Sequence, residues 1–174
     1  MAQKGKLTVK AIVDTNVAIV ANRKSAQASP QCIGHCIHAL HTITISGTLV
    51  LDDGWRIINE YKRNLQQSGQ PGIGDAFLKW VLTNWRNKNR CEVVTITSQP
   101  NSSDPTDFVE FPNDTALQNF DRSDRKFVAV AIAHPESPII LNATDTDWWH
   151  HRTILEQYGI KLHFLCADAM PSTD

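Results

Sequence analysis

The sequence predicts an α/β fold of three layers, with helices on both faces of a mainly parallel five-stranded sheet. Three observations lead there. Short apolar runs of strand length alternate with longer segments of helical periodicity along nearly the whole chain. Cap and turn residues separate them. Two of the apolar runs, Ala11-Ile12-Val13-Asp14 and Ile139-Ile140-Leu141-Asn142-Ala143-Thr144-Asp145, close on a carboxylate, as strands do when a parallel sheet ends at a polar crevice.

In chain order, Leu7 to Val13 reads as a buried strand, and Asp14-Thr15-Asn16 opens a short helix to about Asn22. Ser29-Pro30 supplies an N-cap and a first-turn proline for a second helix that stops near Gly47. Thr48-Leu49-Val50-Leu51 is the second strand, and Asp52-Asp53 cap a helix through about Gln67. After a loop over Gln67 to Gly72, a helix from about Gly74 to Asn87 carries Phe77, Trp80, Val81 and Trp85 as its apolar stripe. Glu92 to Thr97 is the third strand. Ser98 to Leu117, rich in Pro, Asn, Ser and Asp, is a long irregular connection. A helix over about Asp121 to His134, capped by Asp121, leads through Ser137-Pro138 into the fourth strand. A helix over Trp148 to Tyr158 stops at Gly159, and Ile160 to Leu165 forms the fifth strand.

A chain of 174 residues, 41% hydrophobic and 20% charged, suits one domain, set at residues 7–168. The net charge of -1, from 17 basic and 18 acidic residues, gives no general attraction to polyanions. Bound divalent cations would turn that balance positive. The opening Met1-Ala2-Gln3-Lys4-Gly5-Lys6 lacks the apolar core of a secretory leader, and no stretch reaches membrane-spanning length. A soluble cytoplasmic protein with no membrane partner is expected, with Cys32, Cys36, Cys91 and Cys166 as reduced thiols.

Strands of a parallel sheet end at one edge, so Asp14 and Asp145 are expected to share it. Asp53 starts a helix there, and Glu60, seven residues on, lies about 10 Å along its axis. Asp124 falls in the first turn of its helix, where amide dipoles tolerate negative charge. Four carboxylates converging in this way repel one another unless a divalent cation lies between them.

These residues carry a resemblance. Val13-Asp14-Thr15-Asn16-Val17, then Leu51-Asp52-Asp53-Gly54 with Glu60-Tyr61 and Leu65, then Asp124-Arg125-Lys126-Phe127-Val128-Ala129-Val130-Ala131, then Thr144-Asp145-Thr146-Asp147-Trp148 resemble the ordered motifs of the PIN-domain ribonucleases. The similarity runs from about residue 9 to 165. It implies a PIN-like sheet and a Mg2+- or Mn2+-dependent endonuclease acting on RNA. Asp14, Glu60, Asp124 and Asp145 would be its catalytic acids, with Asn16 or Thr15 hydrogen-bonding nearby and Asp147 as a further acid. The chain is longer than the compact PIN toxins, and its 98–117 connection is longer than theirs. Toxin and stand-alone nuclease therefore stay open, and with them an antitoxin partner and a homodimer.

Hard oxygen ligands hold Mg2+ or Mn2+ without quenching Lewis acidity. Asp14 is the expected central ligand, with Asp145, Asp124 and then Asp147 beside it, while Glu60 binds through water or orients the nucleophile. Lys62, Arg63, Arg122, Arg125 and Lys126 flank the acids and would contact phosphates, or else are ordinary helix-surface charge. Trp148 and Trp149 would stack on bases unless the helix turns them to the core. Cys32, His35, Cys36, His38 and His41 do not bracket a loop as zinc ligands do, and Cys32, Cys36, Leu40 and Ile43 form one apolar helical stripe. Gly72-Ile73-Gly74 is a turn. Two alternatives remain: a phosphohydrolase with a strand-end Asp nucleophile, which would want a second acid where Asn16 stands, and a non-catalytic PIN-like scaffold for RNA or protein.

Overall fold

The computed structural model describes residues 8–172. Five parallel strands stand in the order β3-β2-β1-β4-β5: β1 (Lys10–Val13), β2 (Thr48–Asp52), β3 (Cys91–Val94), β4 (Ile139–Asn142) and β5 (Leu162–Phe164). Six α-helices flank them among the described residues: α1 (Thr15–Ala21), α2 (Pro30–Ser46), α3 (Arg56–Asn64), α4 (Ile73–Asn84), α5 (Arg125–Ala133) and α6 (Thr146–Gln157). This is the three-layer α/β/α fold. The chain runs from β1 outward to β3, returns to β4 and ends at β5 on the opposite edge; parallel crossovers are right-handed as a rule, which puts these two sets of connections on opposite faces. The topological switch point thus falls between β1 and β4.

The central strands are buried on both faces, which is why they read as unbroken apolar runs: Ala11, Ile12 and Val13 are inaccessible to solvent, as are Leu49, Val50 and Leu51. The helices close over them through expected faces. Cys32, Cys36, Leu40 and Ile43 form the buried stripe of α2, with Ser29 capping its first turn and Pro30 following. Helix α4 approaches α1 so closely that a Cβ on Gly74 would stand 2.1 Å from the Ala18 carbonyl oxygen.

Several boundaries differ from expectation. β1 begins at Lys10, and Leu7 lies outside the described residues, as does the N-terminal segment before it. Helix α3 starts at Arg56 because Trp55 adopts the left-handed region (φ 61°), so Asp52 caps from further back by accepting the backbone N–H groups of Arg56 and Ile57 at 3.0 and 2.9 Å. β3 and β5 are shorter than predicted, and α6 begins earlier, at Thr146, because Asp145 caps it. The long connection is irregular as expected. An isolated bridge between Ser98 and Phe108 closes its first half.

One expectation is overturned. Cys32 and Cys166 are joined by a disulfide, with Cα atoms 5.1 Å apart, whereas the sequence predicts reduced thiols. The partners are separated by 134 residues, and only the return of the chain through β5 brings Cys166 against the first turn of α2. Cys36 and Cys91 are free and buried, and burial pushes both thiols up to about 12.

Candidate metal centre

At the carboxyl edge of the sheet, beside the switch point, Asp14 ends β1 and caps α1. One carboxylate oxygen accepts the Asn16 N–H at 3.0 Å, and the other accepts Asn142 Nδ2–H at 3.3 Å from the end of β4. Only 3% of Asp14 is exposed. Burial, compounded by the charges of Glu60 and Asp145, pushes its carboxyl up to about 7.

Glu60 comes from α3. Tyr61 fixes that helix against β1, because its buried hydroxyl donates to the Val13 carbonyl at 2.5 Å. The neighbouring Glu60 then meets α1, where Thr15 Oγ1 donates to Oε1 at 2.6 Å. Its other oxygen is ion-paired with Lys126 Nζ, which also donates to the Ser123 carbonyl. The fold thus supplies one internal cation beside the acids.

Asp124 closes a short 3₁₀ turn before α5; Asp121, expected to cap the helix itself, caps this turn instead, and α5 starts only at Arg125. No described residue caps or hydrogen-bonds the Asp124 carboxylate. Burial first, and then the charges of Asp14 and Asp145, push it up to about 9. Carboxylate oxygens of Asp14, Glu60 and Asp124 all lie within 4.8 Å of one another. Asp145, the fourth predicted acid, is not part of that close trio; it is the N-cap of α6, accepting the Asp147 N–H at 2.9 Å, and its charge acts on Asp14 and Asp124. Burial raises its carboxyl too.

Asn142 escaped the sequence reading. Fully buried, it donates to Asp14 and accepts the Asp145 N–H at 3.1 Å, so it ties the two strand-end acids together. A polar residue closing an apolar strand was the available signal. Asn16 acts similarly across the switch point, its Oδ1 accepting the Ala143 N–H at 2.8 Å. Its buried Nδ2 has no partner among the described residues.

Other predicted residues fall elsewhere. Asp147 is outside the trio, accepting the Asp121 N–H at 2.8 Å and facing His151 at 3.2 Å. Arg125 is committed to Asp107 at 2.8 Å and lies over the Phe111 ring. Lys62 lies over Trp55 at 5.8 Å. Trp148 is inaccessible to solvent and packs edge-on against Phe120 at 5.0 Å, so base stacking on it is ruled out; its neighbour Trp149 is half-buried under Arg152.

The donor set consists of carboxylate oxygens, which suits Mg2+ or Mn2+ and not a thiophilic ion. Lys126 is paired with Glu60, while the charges that act most strongly on Asp124, those of Asp14 and Asp145, are like charges, which is the condition a bound cation would relieve. No family model, curated protein or solved structure matches this chain.

Proposed function

We propose that this chain is a Mg2+- or Mn2+-dependent endoribonuclease that hydrolyses RNA phosphodiester bonds at Asp14, Glu60, Asp124 and Asp145. One observation carries the reading: carboxylates from three distant segments, those of Asp14 and Asp124 buried and that of Glu60 partly so, crowd within 4.8 Å at the switch point of a parallel sheet. Two unit charges about 4 Å apart repel by about 4 kcal/mol at an effective dielectric near 20, an arrangement that folding alone gives no reason to keep.

Asp14 and Asp124 would hold the ion, with the charge of Asp145 adding to theirs. When bound, the ion supplies Lewis acidity that lowers the pKa of water and offsets charge on the phosphate. Glu60, aimed by Thr15, would orient the attacking water and take its proton. The water oxygen forms the new bond to phosphorus as the bond to the 3′-oxygen breaks, and solvent returns a proton to that oxygen. Once Glu60 turns to the water, Lys126 Nζ is free to meet a phosphate oxygen.

A phosphohydrolase fits less well, because Asn16 stands where its second acid would be and is engaged by Ala143. Asp14→Asn should abolish Mn2+-dependent RNA cleavage while the circular dichroism spectrum stays unchanged. Full activity in that variant removes the nuclease reading, and failure of the wild-type protein to bind Mn2+ by calorimetry favours a scaffold.

A further inference from the structure

Beside the acidic cluster runs a groove of about 340 Å³. On one wall stand Arg56, Asn59 and Arg63 of α3, at helical spacings that share a face with Glu60. Arg122, Ser123 and Lys126 form the other wall, and Thr106 and Phe108 of the long connection close the end. Lys126 belongs to both places, lining the groove while ion-paired to Glu60. Groove and carboxylates are therefore continuous.

Four cations line this space and no carboxylate does among the described residues, although the whole chain carries a net charge of -1. The cations are unequally neutralised. Arg122 is tied to Asp104 and Asp107, and its wall is thereby fastened to the connection. Arg56 reaches Asp52 only at 3.3 Å, and that carboxylate is already shared among backbone N–H groups. Arg63 is exposed and has no ion-pair partner among the described residues.

We propose that this groove seats the phosphodiester backbone of a single nucleic-acid strand and leads it along α3 into the carboxylates. Arg56 and Arg63 are seven residues apart, about 10 Å along the helix axis. One small anion cannot touch both, whereas successive phosphates can. The groove has the volume of a small-ligand pocket, and two of the acids it leads to, Asp14 and Asp124, are buried, so one strand enters and a paired helix is too wide. Asn59, Ser123 and the phosphates set position, and nothing along the walls reads base identity.

The direction of the strand rests on the nuclease reading; the binding itself does not, and the test separates them. Anisotropy of fluorescein-labelled 12-nucleotide oligouridine, its deoxy counterpart and a 12-base-pair duplex is measured in EDTA across a salt series. Arg56→Ala/Arg63→Ala should weaken single-strand binding about tenfold and flatten the slope of log K against log salt by about 1.4. Arg63→Lys should retain most of the affinity. Lys79→Ala/Lys161→Ala, which removes equal charge from exposed positions elsewhere, should change neither. Equal losses in the two double variants, absence of wild-type binding at low salt, or a duplex bound as tightly as the single strand would each overturn the proposal. A normal groove response with no Mn2+-dependent cleavage would overturn only the nuclease reading. Unchanged binding in Arg56→Ala/Arg63→Ala, with cleavage intact, would overturn only the groove. Preference for RNA over DNA, or its absence, tells which sugar the seat accepts.

Discussion

Asp75 and Asp124 are both buried, with 0% and 7% of their surface exposed, yet the fold treats them in opposite ways. Asp75, on the first turn of α4, accepts the N–H groups of Gln66 and Gly72 at 2.8 and 2.9 Å and Asn22 Nδ2–H at 2.8 Å. Burial alone would raise its carboxyl, but these donors outweigh burial and hold it below its ordinary value. Asp124 receives no such donor and is raised. A buried acid is therefore no sign of function by itself. An acid given no donor and crowded by others is the better candidate for a site that something from outside occupies.

The contrast gives its largest effect at Asp75. Asp75→Ala strands three donors and should cost roughly 3–5 kcal/mol in urea unfolding. Asp124→Asn, measured the same way in EDTA, should gain about 1 kcal/mol by removing repulsion. Similar losses in both variants would break the comparison.

Next comes pH. The Asp14 carboxyl rises from 3.8 to about 7 on folding, so its protonated form favours the native state: the contribution is complete below about 3.8 and is lost as pH rises through about 7. Asp124 extends that loss toward about 9. In EDTA the unfolding midpoint should fall between pH 5 and 8, and Asp14→Asn should shallow the slope. Asp75 works with the opposite sign, its stabilisation present above 3.8 and lost as pH falls through its lowered folded value. A flat wild-type profile over that range would count against the crowded acids.

Smaller effects sharpen the picture. Lys126→Met, which removes the internal counter-ion, should destabilise the metal-free protein by about 2 kcal/mol, and excess Mn2+ should restore most of it. Asn142→Leu should cost about 1 kcal/mol, because it unties Asp14 from Asp145.

How much of this the sequence discloses depends on whether the signal is local. Asp14 and Asp145 close apolar runs, and Asp121 precedes a helix, so their places are legible from the neighbouring residues. Ser29-Pro30 likewise marks the start of α2 to the residue. Glu60 was found through helix geometry, but its ties to Thr15 and Lys126 cross 45 and 66 positions and leave no local trace. The disulfide was hidden for the same reason, since four cysteines do not reveal which pair the sheet will bring together. Trp55 was missed because nothing nearby marks a tryptophan in a left-handed turn, and the start of α3 moved with it. Trp148 went to the core because Phe120 and Phe127 come to meet it from other segments.

The Tyr61 hydroxyl on the Val13 carbonyl has a cost that the chain carries permanently. By clamping the helix of one acid to the strand of another, it denies them the relief of drifting apart, so repulsion is borne at rest and reorganisation is spared for any ligand that arrives. A phenylalanine there would lose that bond and let the helix shift against the strand, a slacker protein that forfeits the readiness.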